Sequence, residues 1–184
     1  MSGSRLVDGR LGSIELDGDG HGEALVPLGA GSLWLTVEWV GAAPGAEVDL
    51  LGEDPAALAG RALGWATGGG HETVELYLAH HAAEFTADEV EALVSGGGPE
   101  ASVDEASVTE ASVTEAGGTG VSAVEGLRGA LEPVALHVCG GAGERELVVD
   151  LGFGPDVTEV LLAVRVDPGG SPVGVDAVQV DAES

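Results

Sequence analysis

The chain has 184 residues and a formal net charge of −26, because 32 acidic residues are balanced by six arginines and no lysine. A chain this acidic repels phosphate backbones, so we expect no nucleic-acid partner. The missing lysine also excludes P-loop nucleotide hydrolysis and pyridoxal-phosphate chemistry, since both need a lysine amine.

Residue usage also bears on the origin and the location of the protein. Asparagine is absent and Ile14 is the only isoleucine, while glycine, alanine and valine abound, a pattern that indicates a GC-rich bacterial genome or, as the alternative, a halophile. No apolar run follows Met1, and no stretch reaches the roughly 18 to 20 apolar residues of a membrane span. We therefore expect a cytoplasmic protein without membrane contact. Cys139 is the only cysteine, which excludes an internal disulfide.

The first part of the chain predicts short strands. The first two are joined by a Gly-rich turn and are predicted to form a hairpin. In the third, strict alternation places Leu33, Leu35 and Val37 on one face, as in a half-buried strand. The predicted strands are residues 11–17, 23–28, 32–40 and 47–51.

Helix signals dominate the middle of the chain. Asp54 can cap a helix N-terminus and Pro55 suits the first helical position. Thr86 and Glu89 have the spacing of a capping box. The predicted helices are residues 56–67, 72–85 and 86–94.

A five-residue repeat occupies residues 101–115, where Ala-Ser-Val-Asp-Glu is followed by two copies of Ala-Ser-Val-Thr-Glu. Glycine-rich segments lie on both sides of it. A period of five matches neither the 3.6 of a helix nor the 2 of a strand, so no apolar face can form. The pattern predicts a flexible low-complexity insert at residues 95–121.

Strands return after the insert. Ser122 and Glu125 have capping spacing for a short helix that ends at Leu131. Four further strands separated by Gly-rich turns then predict an antiparallel meander, at residues 134–139, 146–151, 159–167 and 173–180. The sequence therefore predicts one α+β domain over residues 1–184, with antiparallel strands at both ends, about three helices between them and a short helix after the insert.

The densest group of potential metal ligands and acid–base residues lies in or beside the second predicted helix. His80 and Glu84 are four residues apart and share a helix face. Two ligands are too few for zinc, so others would have to come from elsewhere in the fold. The competing interpretation is a set of solvated or helix-capping side chains. The group consists of His71, Glu72, Glu75, His80, His81 and Glu84.

Two other features have simpler explanations than a site. Asp17, Asp19 and His21 are spaced like the start of a calcium loop, but Leu28 stands where the bidentate carboxylate would be needed, which favours a turn. Cys139 precedes two glycines and could be an exposed thiol, but a small residue closing a buried strand is favoured. No motif indicates a catalytic residue or a cofactor.

Trp34 and Glu38 are the candidate interaction residues. They fall on the face of the third predicted strand that also carries Thr36. Tryptophan is enriched at interface hot spots, whereas core packing is the competing interpretation in a chain with so few aromatic residues.

The order of elements, with a Trp-bearing strand, Tyr77 in Leu-Tyr-Leu, an apolar strand at residues 161–167 and Gly-Val-Asp at residues 174–176, resembles small uncharacterised bacterial domains, some of which are suspected immunity proteins. The resemblance covers most of the chain outside the repeat and brings no catalytic motif with it. It implies a non-enzymatic role.

Three functional hypotheses remain. The leading one is a cytoplasmic acidic protein that binds a basic protein partner and neutralises or regulates it. The second is a small metal-dependent enzyme that uses the histidine-rich helix. The third is an accessory domain without a site.

Overall fold

The computed structural model describes residues 4–28, 31–41, 45–95, 119–141, 145–154 and 160–179. These ranges contain nine strands and four helices, which confirms the predicted α+β class. The strands are β1 Ser4–Asp8, β2 Gly12–Leu16, β3 His21–Leu28, β4 Gly31–Trp39, β5 Ala46–Val48, β6 Glu132–Gly140, β7 Arg145–Gly152, β8 Val160–Val166 and β9 Pro172–Gln179. The helices are α1 Pro55–Thr67, α2 Glu72–Glu84, α3 Ala87–Val94 and α4 Thr119–Ala130.

The larger sheet has six strands in the order β3-β4-β6-β7-β8-β9. The C-terminal strands β6 to β9 pair in sequence and antiparallel, which confirms the predicted meander. β4 and β6 pair in parallel, a feature that the sequence did not predict. A parallel pair needs a long crossover connection, and the helical middle of the chain provides it.

The smaller sheet has the order β2-β1-β5, with β1 antiparallel to β2 and parallel to β5. The predicted hairpin between residues 11–17 and 23–28 is therefore wrong. A turn does join β2 to β3, where the Asp17 amide donates to the His21 carbonyl at 2.8 Å. The two strands nevertheless pair with different neighbours, β2 with β1 and β3 with β4.

Gly22 allows the two sheets to approach each other. A methyl group at this position would lie 2.6 Å from the Glu15 carbonyl oxygen and 2.7 Å from a methyl carbon of Leu16. Both distances are shorter than any ordinary contact with a side chain, so only glycine permits β2 to pack against β3 here. The smaller sheet therefore covers the end of the larger one on the side where Val26 is buried.

The helices cover the same side of the larger sheet. α1 begins as predicted, with the Asp54 carboxylate accepting from the backbone amides of Ala56 and Ala57. It packs across β3, β6, β7, β8 and β9. Its buried residues include Ala62 and Ala66, whose small side chains allow a close approach to the sheet.

The remaining helices form a layer around α4. Both halves of the predicted capping box are present at the start of α3, between Thr86 and Glu89. The predicted start of α4 is wrong, since the helix begins at Thr119 and not after Ser122. Residues 119–121 of the predicted insert therefore belong to α4, and Ser95 caps the C-terminus of α3. Residues 96–118 of that prediction, with the repeat at residues 101–115, lie outside the described residues.

One buried carboxylate links the smaller sheet to the loop before α1. Asp8 is 3% exposed and accepts from the amides of Arg10 and Leu11 through one oxygen and from Leu50 through the other, at 2.8 to 2.9 Å. Burial by itself raises the pKa of Asp8, but these amide donors more than offset that effect, so its pKa lies below the ordinary value. No local sequence pattern indicates this role of Asp8, because its amide partners lie as far away as residue 50.

Candidate functional site

The larger sheet has one face that no described helix or strand covers. We call it the open face. Of its side chains only Ala163, at 8% exposure, is buried; all others are half-buried or exposed. The opposite, covered face carries the core residues of the same strands. The open face is formed by His21, Glu23, Leu25 and Pro27 of β3, Ser32, Trp34, Thr36 and Glu38 of β4, Ala135, His137 and Cys139 of β6, Glu146, Val148 and Asp150 of β7, Leu161, Ala163 and Arg165 of β8, and Gly174, Asp176 and Val178 of β9.

Large apolar side chains are exposed on this face. Trp34 is 55% exposed and its cross-strand neighbour Leu25 is 58% exposed. Ala135 lies beside Trp34 on the other side, in register with it. These residues make an apolar row across three strands that contributes little to the core, so protein stability alone does not account for it.

Three carboxylates lie at one end of the same face. Glu23, Glu38 and Glu146 are exposed, and none of them forms an ion pair with another described residue. Cys139 lies between the last two, in register with both. Partial burial of the thiol, and then the negative charges of Glu38 and Glu146, raise its pKa. This end of the open face therefore has a negative potential that can attract a cation.

Two pairs of oppositely charged groups also lie on the open face. His137 Nε2 lies 2.6 Å from Asp150 Oδ2, and Arg165 lies 3.1 Å from Asp176. The hydrogen bond to Asp150 raises the pKa of His137 above its ordinary value, although partial burial opposes this change. These pairs leave the centre of the face near neutrality and the unpaired carboxylates at its end.

A groove opens at the opposite end of the face, beside Trp34. It measures about 410 Å³ and lies between the first residues of β4 and of β6. Leu25, Leu28 and Trp34 form its apolar walls, and Glu132 lies at its margin. The groove adjoins the exposed apolar row.

The structure separates the residues of the predicted histidine site. His71 packs on Trp65, with ring centroids 3.8 Å apart. His80 and Glu84 are exposed and lie 3.4 Å apart, so the predicted shared face is present. His81, four residues from Tyr77, is 3% exposed, and its Nδ1 donates to the Tyr77 carbonyl at 2.9 Å.

His81 is enclosed by aromatic side chains, which accounts for its burial. Its ring centroid lies 4.3 Å from that of Tyr77, 5.7 Å from Phe85 and 5.5 Å from Phe153. No group of three or more histidine, cysteine, aspartate or glutamate side chains in the described ranges could hold a metal ion. His81 is therefore a core histidine, and the neighbouring pair of His80 and Glu84 is exposed on the surface of α2.

The two minor candidates have clear positions. Asp17 accepts from the backbone amides of Asp19 and His21 at 2.9 Å, so its carboxylate closes the turn that the simpler interpretation predicted. Cys139 is exposed, so the prediction of a buried strand end is wrong. It lies on the open face because its position in β6 has the same parity as that of His137.

The alternation of β4 predicts that Trp34 and Glu38 lie on one face, and they share the open face. No local pattern predicts the contact of His137 with Asp150, which are thirteen residues apart and on different strands. The alternation of residues 134–139 and 146–151 does put them on polar faces. Only the pairing of β6 with β7 brings those faces to the same side.

Comparisons with known proteins give no family for this chain: no protein-family model, no curated protein and no solved structure matches it. Among the described residues, no helix combines the length and the apolar character that crossing a membrane requires.

Proposed function

We propose that this chain is a cytoplasmic binding protein that uses the open face to recognise a basic protein and thereby neutralises or regulates it. The observation that carries the proposal is an exposed tryptophan, Trp34, in an apolar row on an uncovered sheet face with three unpaired carboxylates at its end.

The two parts of the open face would contribute differently to binding. Trp34 and Leu25 would supply most of the affinity, since large apolar side chains at the centre of an interface lose the most water on binding. Glu23, Glu38 and Glu146 would mainly increase the association rate, because opposite charge guides a partner during its approach. Exposed charges are screened over about 8 Å at physiological ionic strength, so this second contribution would decrease with salt.

Charge favours a basic partner over a second copy of the chain. Each copy has a net charge of −26, and the open face adds local negative charge at its end. Two such faces would repel each other on approach. A partner rich in arginine or lysine would instead gain from the same field.

The experiment is affinity capture from a native lysate at low salt, with the wild type and two matched pairs of variants. W34A is paired with the control L76A, which removes a similarly exposed apolar side chain from α2, away from the open face. The triple variant E23Q/E38Q/E146Q is paired with E72Q/E84Q/E91Q, which makes the same change of charge on the helices. All five proteins are compared at equal concentration.

We expect one basic protein to bind the wild type and both control variants, to be released by high salt and to be lost with W34A. The open-face triple variant should bind it with a slower association rate and a weaker dependence on salt. Equal capture by W34A and L76A, or equal loss in both triple variants, would contradict the proposal.

A further inference from the structure

The groove beside Trp34 arises from the way in which β4 and β6 separate. The parallel pairing of the two strands runs from Trp34 and Ala135 to Trp39 and Gly140. β4 itself begins three residues earlier, and residues 31–33 pair with β3. In the described part of β6 they have no register partner.

Pro133 gives a chemical reason for this separation. Proline has no backbone N–H to donate to a neighbouring strand. The register of β6 with β7 is also irregular between Pro133 and Ala135, which is typical of a β-bulge. A bulge bends its strand, so β6 turns away from β4 at this point and leaves the groove between them.

The groove combines apolar walls with one carboxylate. Leu25, Leu28 and Trp34 form the walls, and Val134 closes the β6 side. Its volume of about 410 Å³ lies within the range of small-ligand sites, and it is larger than a leucine side chain. Glu132 is exposed at the margin and forms no ion pair with any described residue.

We propose that this groove binds an apolar side chain of the basic partner, and that an adjacent lysine or arginine of the partner pairs with Glu132. This inference rests on the proposed function, because the groove is continuous with the apolar row of the open face through Trp34 and Leu25. The carboxylate at the margin and the overall negative charge select a basic segment over an acidic one. The apolar walls select a leucine-like side chain over a small one.

The test uses a dipeptide probe, so it does not require the partner. N-acetyl-leucyl-arginine amide is titrated into the full-length, isotope-labelled protein, and amide and indole chemical shifts are followed by NMR. N-acetyl-glycyl-arginine amide and N-acetyl-leucyl-glutamate amide serve as controls for the apolar and the charged contact. We expect saturable shifts at Gly31, Ser32, Val134 and the Trp34 indole in the millimolar range with the first probe, and weaker binding of both controls.

Two variants test the contacts. E132Q should weaken binding of the Leu-Arg probe roughly two- to fivefold, the range expected for one exposed ion pair. Binding of the Leu-Glu control should not become weaker. S32L places a larger side chain at the groove and should abolish the shifts. A retained amide spectrum away from the groove establishes that each variant folds.

Three outcomes would overturn the inference. One is the absence of saturable shifts at the groove with the folded wild type. Another is shifts confined to a different groove, of about 360 Å³, which is lined by residues that include Leu63, Thr67 and Arg128. The third is equal binding of all three dipeptides, which would indicate an unspecific apolar surface only.

Failure of this inference can be separated from failure of the proposed function by the capture experiment. If W34A loses the partner while S32L and E132Q retain it fully, the groove assignment is wrong and the open face still binds. If W34A and L76A capture equally, the proposed function fails, whatever the dipeptides do.

Discussion

The two faces of the larger sheet are built by the same six strands but differ in what they contact. On the covered face Leu35, Val37 and Leu136 are fully buried. On the open face Trp34, one residue from Leu35, is 55% exposed. The alternation of a strand therefore places one apolar residue in the core and the next in solvent. The proposed function assigns the exposed one, Trp34, to binding.

The largest expected effect compares adjacent residues of β4. L35A removes a fully buried side chain that packs between β3 and β6, so it should lower the free energy of unfolding by about 2 to 5 kcal/mol. W34A should lower it by no more than about 1 kcal/mol, since this side chain is half in solvent. Urea unfolding of both variants measures the difference. Equal losses would mean that Trp34 belongs to the core and that the two faces do not differ as described.

The next effect concerns Asp8, a charged group on the buried side of the molecule. D8N presents an amide group where Leu50 or Arg10 needs an acceptor, so a buried N–H loses its partner, at a cost of about 1 to 3 kcal/mol near neutral pH. The pKa of Asp8 is lowered by folding, so its carboxylate stabilises the fold at pH values above the ordinary pKa of 3.8. This contribution is lost as the pH falls through the lower pKa of the folded state.

Unfolding of wild type and D8N as a function of pH measures this contribution. The difference between their free energies of unfolding should be constant at pH values above the ordinary pKa of Asp8. It should become smaller as the pH falls below that pKa. A gap that does not change down to the onset of acid unfolding would mean that the carboxylate charge is not what stabilises this loop.

A smaller effect is expected for the ion pair of His137 with Asp150 on the open face. His137 has a raised pKa, so NMR titration should place its midpoint above 6.5, and D150N should move the midpoint downwards. Because the folded state holds the proton more tightly, the pair stabilises the fold fully below pH 6.5. That contribution is lost as the pH rises through the raised pKa.

The matching measurement is the difference in unfolding free energy between the wild type and H137Q. It should be larger at pH 6 than at pH 9, the opposite direction to the change at Asp8. His80, which pairs with Glu84 on the exposed side of α2, provides a control through H80Q. If H80Q and H137Q gave the same pH profile, the pairing of His137 with Asp150 would not be the cause of the pH dependence of stability.

The smallest effect is on the reactivity of Cys139. Partial burial and the carboxylates of Glu38 and Glu146 raise the pKa of its thiol, so it should react slowly with iodoacetamide at pH 8. E38Q/E146Q should increase the rate roughly two- to fivefold, because two nearby negative charges are removed. A helix variant such as E72Q/E84Q should leave the rate unchanged. An equal increase in both variants would assign the effect to net charge instead of to the open face.

The sequence by itself determined the elements whose signals are local. The Asp54-Pro55 cap of α1, the capping box of α3, the alternation of β4 and the meander from β6 to β9 all depend on residues within a few positions of each other. It also determined that Trp34 and Glu38 share a face, since the period of a strand fixes this whatever its neighbours are.

Only the tertiary structure decided which strands pair and which face is covered. The turn after β2 fits a hairpin locally, but β2 pairs with β1 and β3 pairs with β4, and Ile14 and Val26 are both buried in this arrangement. The histidine-rich helix likewise looks like one cluster in the sequence. The aromatic core takes His81 inside and leaves His80 in solvent. Pairing and burial depend on residues far apart in the chain, and a local pattern carries no information about which of them will meet.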